Sequence, residues 1–321
     1  MSQKTSKAVL TLLTAGILLT LMAYTQTFPA ASVNGGWVMY RTAFQRYEGL
    51  KTFYASEGKE IGEDLEERMF ESLLREQLIR QLMAERGVFA SEEDRLEALR
   101  AVQDQSGSRE AFASKVKEMY GWNLRQFERH VVRPFVEARS LEEAIFKDRE
   151  RQLEKRVRMD EAFGKLEGGA AFDGLVLEYS EDATSVFNGD VGWMTETEMP
   201  EAWRGAALHL DAGETSPVLE ERDRFVILRV DEREEGSEEE GKELDRPLRV
   251  NLSVLIINKV SLSEVVRDFA EESNMKSDCF FWSRWADLNR RPLLYESIAL
   301  PAELHRPGLP PEARKSEGWS G

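Results

Sequence analysis

The sequence has very few of the residues that cross-link a fold or bind metal. It holds one cysteine, Cys279, among 321 residues, so no disulfide can form within the chain. Its three histidines, His130, His209 and His305, lie far apart and show no spacing typical of metal ligands. The sequence therefore predicts a fold without internal disulfides, and it predicts neither a metal site nor a cofactor.

Positive charge is also scarce. The chain has 43 Lys and Arg against 59 Asp and Glu, which gives a formal net charge of −16 at pH 7. Nucleic-acid phosphates would repel such a surface, so we expect no nucleic-acid partner. The hydrophobic fraction of 41% and the charged fraction of 32% are ordinary for globular proteins, and the length suffices for two modest domains.

A long uncharged run occurs at the N-terminus, where residues 8–24 follow Lys4 and Lys7. As a helix this run would span about 25 Å, slightly less than the roughly 30 Å of a bilayer core. It fits a signal peptide cleaved near residues 30–32, or a signal anchor that stays in the membrane. Either interpretation of residues 1–32 predicts a protein of the cell envelope, acting outside the cytoplasm.

Helical signals recur between residues 33 and 155. Apolar residues from Asp64 to Arg86 repeat with the period of one buried stripe, and Gly87 follows in the position that favours a left-handed residue. Ser91-Glu92-Glu93-Asp94 is a capping-box start for a second helix, and a third helix stops at Gly121. These signals alone are compatible with any helical bundle.

Three strings in this region resemble the N-terminal domain of SurA-type periplasmic chaperones. They are the Val-Asn-Gly opening at Val33, the helix ending in R-G-V-F-A-S-E-E-D, and F-A-S-K-V-K-E-M-Y-G-W-N-L-R-Q-F. The resemblance covers most of residues 33–145 and implies unfolded polypeptides as clients. Phe53, Tyr54 and Trp122 are candidates for client contacts, with core packing the favoured role for each.

Four ordered sequence blocks lie between Ala162 and Val230. They are a helix ending at Tyr179-Ser180, the turn and strand Asn188-Gly189-Asp190-Val191-Gly192-Trp193, the segment Gly213-Glu214-Thr215-Ser216, and the strand Phe225-Val226-Ile227-Leu228. Their order resembles the parvulin (PpiC-type) peptidyl-prolyl isomerase domain. We therefore expect an α+β protein: an all-α SurA-like domain over residues 33–155, then a small antiparallel sheet with flanking helices over 156–275.

The parvulin resemblance implies an apolar cup for a proline ring and a polar group near the peptide carbonyl. Rotation about the bond before proline has a barrier of roughly 18–20 kcal/mol, which an apolar site can lower by desolvating the carbonyl. Met199 and Trp203 occupy the cup positions, four residues apart on one predicted helix face, and Asp182 stands where parvulins carry a Cys or Asp. Core packing of the pair and a solvated loop carboxylate are the alternatives.

Two histidines that parvulins usually carry are absent. The later one aligns with Phe225 or Val226 and the earlier one with Val254, so we assign these three apolar residues to the substrate-binding surface. Residues 248–256 alternate apolar and polar as a strand does. This strand resembles the first strand of the family but follows the rest of the domain. We favour a permuted domain over a second, truncated parvulin domain.

The tail, residues 276–321, differs from the rest of the chain. It holds half of the prolines and shows no sustained period of either helix or strand. Its W-A-D-L-N-R-R-P-L-L-Y-E-S-I-A-L-P string resembles translated non-coding DNA, and we expect disorder there. A proline-rich interaction tail is the alternative.

Together these features predict an exported parvulin-type peptidyl-prolyl cis–trans isomerase that assists the folding of envelope or secreted proteins. Its partners would be unfolded or proline-containing polypeptides, with the membrane added if residues 8–24 form an anchor. The alternative is a SurA-like chaperone that holds clients without turnover, which the two missing histidines support.

Overall fold

The computed structural model describes residues 28–234, 248–272 and 277–279. These described residues form two compact units, one from those up to Leu141 together with those from Val265 onward, and the other from those between Glu142 and Glu264. The sequence predicts this boundary at residue 155. The predicted leader run 8–24 and the tail beyond residue 279 lie outside the described residues. Within the described ranges, no helix is both long enough and apolar enough to cross a bilayer.

The N-terminal unit combines a small sheet with a series of helices. Its elements are β1 (Pro29–Val33), β2 (Gly36–Met39), α1 (Tyr40–Ser56), α2 (Leu65–Arg86), α3 (Glu92–Asp104), α4 (Arg109–Tyr120), α5 (Leu124–Phe127), a π-helical turn (Glu128–Val132) and α6 (Arg133–Lys147). The short strand β7 (Ser277–Cys279) pairs antiparallel with β1, so the strand order is β2-β1-β7. This strand falls inside the segment that the sequence analysis assigned to a disordered tail.

The hairpin of β1 and β2 corrects the expectation that this domain is purely helical. Asn34 and Gly35 link the strands with φ of 48° and 74°, the two left-handed residues of the tight turn that hairpins prefer. Ala30, Ala31 and Val33 are buried in β1. The proposed leader segment 1–32 therefore includes residues that belong to the folded core.

The helix ends of this unit follow the sequence signals. Gly87 and Gly121 end α2 and α4 with φ of 62° and 69°, the left-handed conformation that glycine adopts without a steric penalty. Ser91 accepts a hydrogen bond from the backbone N–H of Asp94, and the Asp94 carboxylate accepts one from Ser91 N–H. The predicted helix boundaries and this capping box are confirmed.

The C-terminal unit is an antiparallel sheet with flanking helices. Its elements are α7 (Leu153–Glu167), α8 (Phe172–Tyr179), a 3-10 turn (Ala183–Phe187), β3 (Asp190–Thr195), α9 (Glu201–Ala207), β4 (Leu219–Glu220), β5 (Arg224–Glu234) and β6 (Arg249–Asn258). Helix α10 (Leu262–Glu272) follows and continues into the N-terminal unit. The α+β fold class is confirmed.

Strand β6 lies inside the sheet although it comes last in the chain. The strand order is β3-β6-β5-β4, and β6 is antiparallel to both neighbours. Its register with β5 opposes Val254 to Leu228. The strand predicted over residues 248–256 therefore completes this sheet from the C-terminal side, as the permuted arrangement requires, and does not begin a second domain.

The two faces of the sheet carry separate cores. One face packs against α7 and α8 through Met159, Ala162, Phe172, Leu175, Val176, Tyr179, Phe225, Ile227, Leu255 and Ile257. The opposite face packs against the α9 segment through Met199, Trp203, Ala207, Val226, Leu228, Val230, Val250, Leu252, Val254 and Ile256. We call this opposite face the α9 face.

Candidate functional site

The loop between α8 and β3 completes the edge of the central strand. Strand β3 pairs with β6 only as far as Ser253, which would leave the next backbone groups of β6 unpaired on that side. The loop supplies the missing partners: Gly189 O accepts from Val254 N–H at 2.9 Å, and Glu181 N–H donates to Ile256 O at 2.7 Å. Ser180 Oγ accepts from Ile256 N–H at 3.1 Å. These contacts hold the loop against β6.

Gly189 is required at this contact. Its φ is +83°, and a Cβ at this position would lie 2.2 Å from Val254 O. The preceding residue, Asn188, is also left-handed, with φ of 58°. The Asn-Gly-Asp turn recognised in the sequence therefore lets the backbone of the loop approach the central strand closely.

Asp182 lies in this loop and caps the 3-10 turn. Its carboxylate accepts a hydrogen bond from Thr184 N–H at 2.9 Å. Burial acts to raise its pKa, but hydrogen bonds from Thr184 and Ala183 and the charge of Arg224 outweigh that effect and lower the pKa below its usual value. At neutral pH the side chain is therefore a carboxylate that can accept hydrogen bonds but not donate one.

Met199 and Trp203 come together with Val226 and Val254 on the α9 face. Met199 precedes α9 and does not share a helix face with Trp203, which corrects the predicted geometry. The two side chains are only 2% and 7% exposed. Trp203 is also tethered, because its Nε1–H donates to Glu221 Oε1 at 2.5 Å. The four residues form a closed apolar cluster.

Phe225 lies on the other face of the sheet. It packs in the core formed with α7 and α8, while its neighbour Val226 is on the α9 face. The charged groups of Arg156 and Lys259 lie 5.5 and 5.1 Å from the Phe225 ring centroid. The structure therefore brings together four of the six residues predicted from sequence, holds Asp182 in the adjoining loop, and separates Phe225 from them.

Two acidic residues at this site were missed by the sequence analysis. Glu221, which accepts from Trp203, lies within a run of charged residues that gives no sign of a special role. Glu181 accepts from Lys155 Nζ at 3.0 Å, from Arg158 Nη1 at 2.7 Å and from Asn258 N–H at 3.0 Å. The contacts of both residues join segments distant in sequence, so no local pattern reveals them.

No cluster of three or more His, Cys, Asp or Glu side chains suited to a metal ion occurs among the described residues. The site as described therefore consists of an apolar cluster, an ionised aspartate and backbone groups. Such an arrangement can bind and desolvate a peptide group, and it contains no nucleophile poised beside a base.

Comparison with known proteins relates the middle of the chain, from the π-helical turn to β5, to a known family. Residues 130–232 match the family model "Rotamase: PPIC-type PPIASE domain". The chain carries a PpiC-type PPIase domain. The matched segment ends before β6. The strand that completes the sheet therefore follows the matched segment in the sequence.

Curated relatives belong to the same group of folding factors. The Chaperone SurA of Alcanivorax borkumensis is 23% identical over 250 residues, covering 65% of this chain and 57% of that protein. The Foldase protein PrsA of Bacillus subtilis is 37% identical over 76 residues, covering 23% of this chain and 26% of that protein. The chain thus spans little more than half of one relative and about a quarter of the other. A parvulin-type family of foldases and chaperones is supported by both.

Proposed function

We propose that this chain is a peptidyl-prolyl cis–trans isomerase that assists the folding of exported polypeptides. The observation that carries the proposal is the apolar cluster of Met199, Trp203, Val226 and Val254 on the α9 face of a PpiC-type domain. The loop bearing Asp182 is hydrogen-bonded to the central strand that contributes Val254. These are the parts that rotation about a prolyl bond requires.

The chemistry needs no covalent intermediate. The planar peptide bond is stabilised by a resonance form that places negative charge on the carbonyl oxygen, and water stabilises that charge. An apolar surface removes the water. A carboxylate at Asp182 near the oxygen would disfavour the charged form further, because like charges repel more strongly where the dielectric is low. Both effects weaken the double-bond character and lower the barrier.

A matched pair of substitutions tests this assignment. Trp203→Leu and Phe225→Leu each shorten a buried aromatic residue, one on the α9 face and one on the opposite face. We expect Trp203→Leu to lower kcat/KM for a proline tetrapeptide by about tenfold or more, equivalent to roughly 1.4 kcal/mol, and Phe225→Leu to change it little. Equal losses would refute the role of the α9 face. Wild-type protein no faster than buffer would refute isomerase activity itself.

A second candidate function is a chaperone that holds clients without turnover. The observation that favours it is the closure of the cup: Met199 and Trp203 are buried, and Trp203 is bound to Glu221. The apolar residues at both histidine positions support the same conclusion. This function predicts that the protein suppresses aggregation of an unfolded client at full strength while the tetrapeptide assay gives the buffer rate.

We also infer export through residues 8–24, with a retained membrane anchor favoured over cleavage. Ala30 and Ala31 are buried in β1, and cleavage near residues 30–32 would remove most of that strand. Mass spectrometry of the native N-terminus and fractionation of membranes test this inference. A mature protein beginning near residue 33, recovered without membrane, would contradict it.

A further inference from the structure

Three aromatic side chains form a row beside the start of β1 in the N-terminal unit. The rings of Phe28 and Tyr40 stack with their centroids 4.6 Å apart, and the ring of Phe44 follows at 6.1 Å from that of Tyr40. Tyr40 N–H donates to Phe28 O at 2.9 Å, which holds the residue before β1 against the first residue of α1. We call Phe28, Tyr40 and Phe44 the aromatic row.

The helical part of the row lies on the outer side of α1. Tyr40 and Phe44 are four residues apart and share one face of the helix, whereas Ala43 and Arg46 are buried and mark the face that packs within the unit. Phe44 is 40% exposed, and Trp37, three residues before Tyr40 in β2, is 54% exposed. Single exposed apolar residues are ordinary, but apolar side chains grouped at a surface are typical of an interaction site.

The stretch that bears the row carries no negative charge. The chain has 59 Asp and Glu among its 321 residues, yet none occurs before Glu48. Arg41, next to Tyr40, is exposed. A carboxylate is costly to bring close to hydrocarbon, whereas arginine can lay its stem on an apolar surface and keep its charge in water. This charge pattern suits a surface that meets lipid.

The position of the row in the sequence indicates its partner. The uncharged run 8–24 ends four residues before Phe28. Four residues span at most about 14 Å, and the headgroup layer on each side of a bilayer is roughly 5–8 Å thick. With residues 8–24 anchored as proposed above, Phe28 lies within that reach of the hydrocarbon. Aromatic residues such as tryptophan and tyrosine concentrate at this level of a membrane.

We propose that the aromatic row, with Trp37, docks on the headgroup and upper acyl-chain region of a phospholipid bilayer. The N-terminal unit would then rest on the lipid surface and not move freely at the end of its anchor. A second copy of the chain is the other candidate occupant. The short link favours the bilayer, because it keeps lipid beside the row at any protein concentration. The inference rests on the proposed membrane anchor and is independent of isomerase turnover.

The test uses the full chain in phosphatidylcholine vesicles whose acyl chains are brominated near the headgroup, because bromine quenches tryptophan emission on contact. Phe44→Trp and Ile61→Trp are a matched pair, since Phe44 and Ile61 are 40% and 45% exposed and the other tryptophans are unchanged. Ile61 lies in the glutamate-rich loop after α1, whose last residue, Ser56, is about 18 Å from Phe44 along the helix axis. We expect brominated lipid to remove most of the added emission of Phe44→Trp and none of that of Ile61→Trp.

A charge placed in the row should undo the docking. The emission of Trp37, obtained by difference from a Trp37→Phe variant, should be quenched by brominated lipid in the otherwise unchanged chain. Phe44→Glu should abolish this quenching, because docking would then bury a carboxylate. Ile61→Glu adds the same charge in the loop after α1 and should leave the quenching of Trp37 unchanged.

Sedimentation of the vesicles separates docking from anchoring. Chain recovered free of vesicles would refute the anchor and the docking together. Chain retained in vesicles, with Phe44→Trp quenched no more than Ile61→Trp, would refute the docking alone. Emission that changes with protein concentration and not with bromination would assign the row to a second copy and overturn the proposal. Tetrapeptide activity, measured in the same samples, reports separately on the isomerase.

Discussion

The buried neutral state of His130 makes the N-terminal unit sensitive to mild acid. Its pKa is about 3 in the folded chain, against 6.5 for the free side chain. The groups facing it are Arg46 and Arg129, whose charges oppose protonation, and Gln45. Because the folded pKa is lowered, the unfolded chain binds the proton more strongly. Stability is therefore lost as pH falls below 6.5.

The size of the effect follows from the two pKa values. One pH unit below the unfolded value, at pH 5.5, protonation of the unfolded chain costs about 1.4 kcal/mol of stability, and at pH 7.5 it costs almost nothing. Between pH 5.5 and pH 7.5, most carboxylates contribute little to the pH dependence of stability. Asp182 and Asp223 have pKa values lowered from 3.8, so their contributions are lost only at more acidic pH.

Urea unfolding of the wild type and of His130→Gln measures this effect. The glutamine is neutral at both pH values, so its stability should lack the histidine contribution to the pH dependence. We expect the stability difference between wild type and variant to shift by about 1.4 kcal/mol in favour of the variant from pH 7.5 to pH 5.5. Parallel pH dependence of the two proteins would refute the neutral, buried state of His130.

Two further predictions concern the PpiC-type domain. Gly189→Ala should destabilise by about 3 kcal/mol or more, because its Cβ would lie 2.2 Å from Val254 O, whereas Gly192→Ala, equally left-handed but with open space, should cost only about 1–2 kcal/mol in urea unfolding. Trp203→Phe leaves Glu221 without its indole donor and should cost about 1–3 kcal/mol; an unchanged unfolding midpoint would contradict the tether.

Features set by a few neighbouring residues could be predicted from the sequence. The ends of α2 and α4 at Gly87 and Gly121, and the capping box at Ser91, depend only on backbone conformation and side chains within one turn. The alternation over 248–256 likewise predicted β6, since a strand in a sheet shows its two faces in a period of two.

Features that depend on pairing over long distances in the sequence could not be predicted. On one side β1 pairs with β7, which lies nearly 250 residues later in the sequence. No local pattern in Pro29–Val33 predicts this pairing. The contact of Gly49 with Trp122 is similar, because it joins α1 to the loop between α4 and α5. Their complementarity becomes apparent only in three dimensions.

Phe225 and Val226 illustrate an ambiguity that only register can resolve. Adjacent residues of a strand point to opposite faces, so they could not both line the proposed cup. The pairing of Leu228 with Val254 puts Val226, two residues from Leu228, on the α9 face with Val254. Phe225 must then face α7 and α8. If the family histidine aligns with this position, the apolar side chain that replaces it packs in the core on that face.

The closed cup determines how much activity the proposed isomerase can retain. A proline ring can reach Met199 and Trp203 only if the cluster opens, and the bond from Trp203 to a charged Glu221 contributes about 2 kcal/mol to closure. This bond alone lowers the population of the open form by a factor of about 30, and the apparent affinity for substrate falls by the same factor. In an isomerase, closure of this kind therefore weakens turnover. Glu221→Ala removes the restraint, so it should raise kcat/KM in an isomerase and leave a pure holdase without activity. A rate equal to wild type would show that the tether does not control access to the cup.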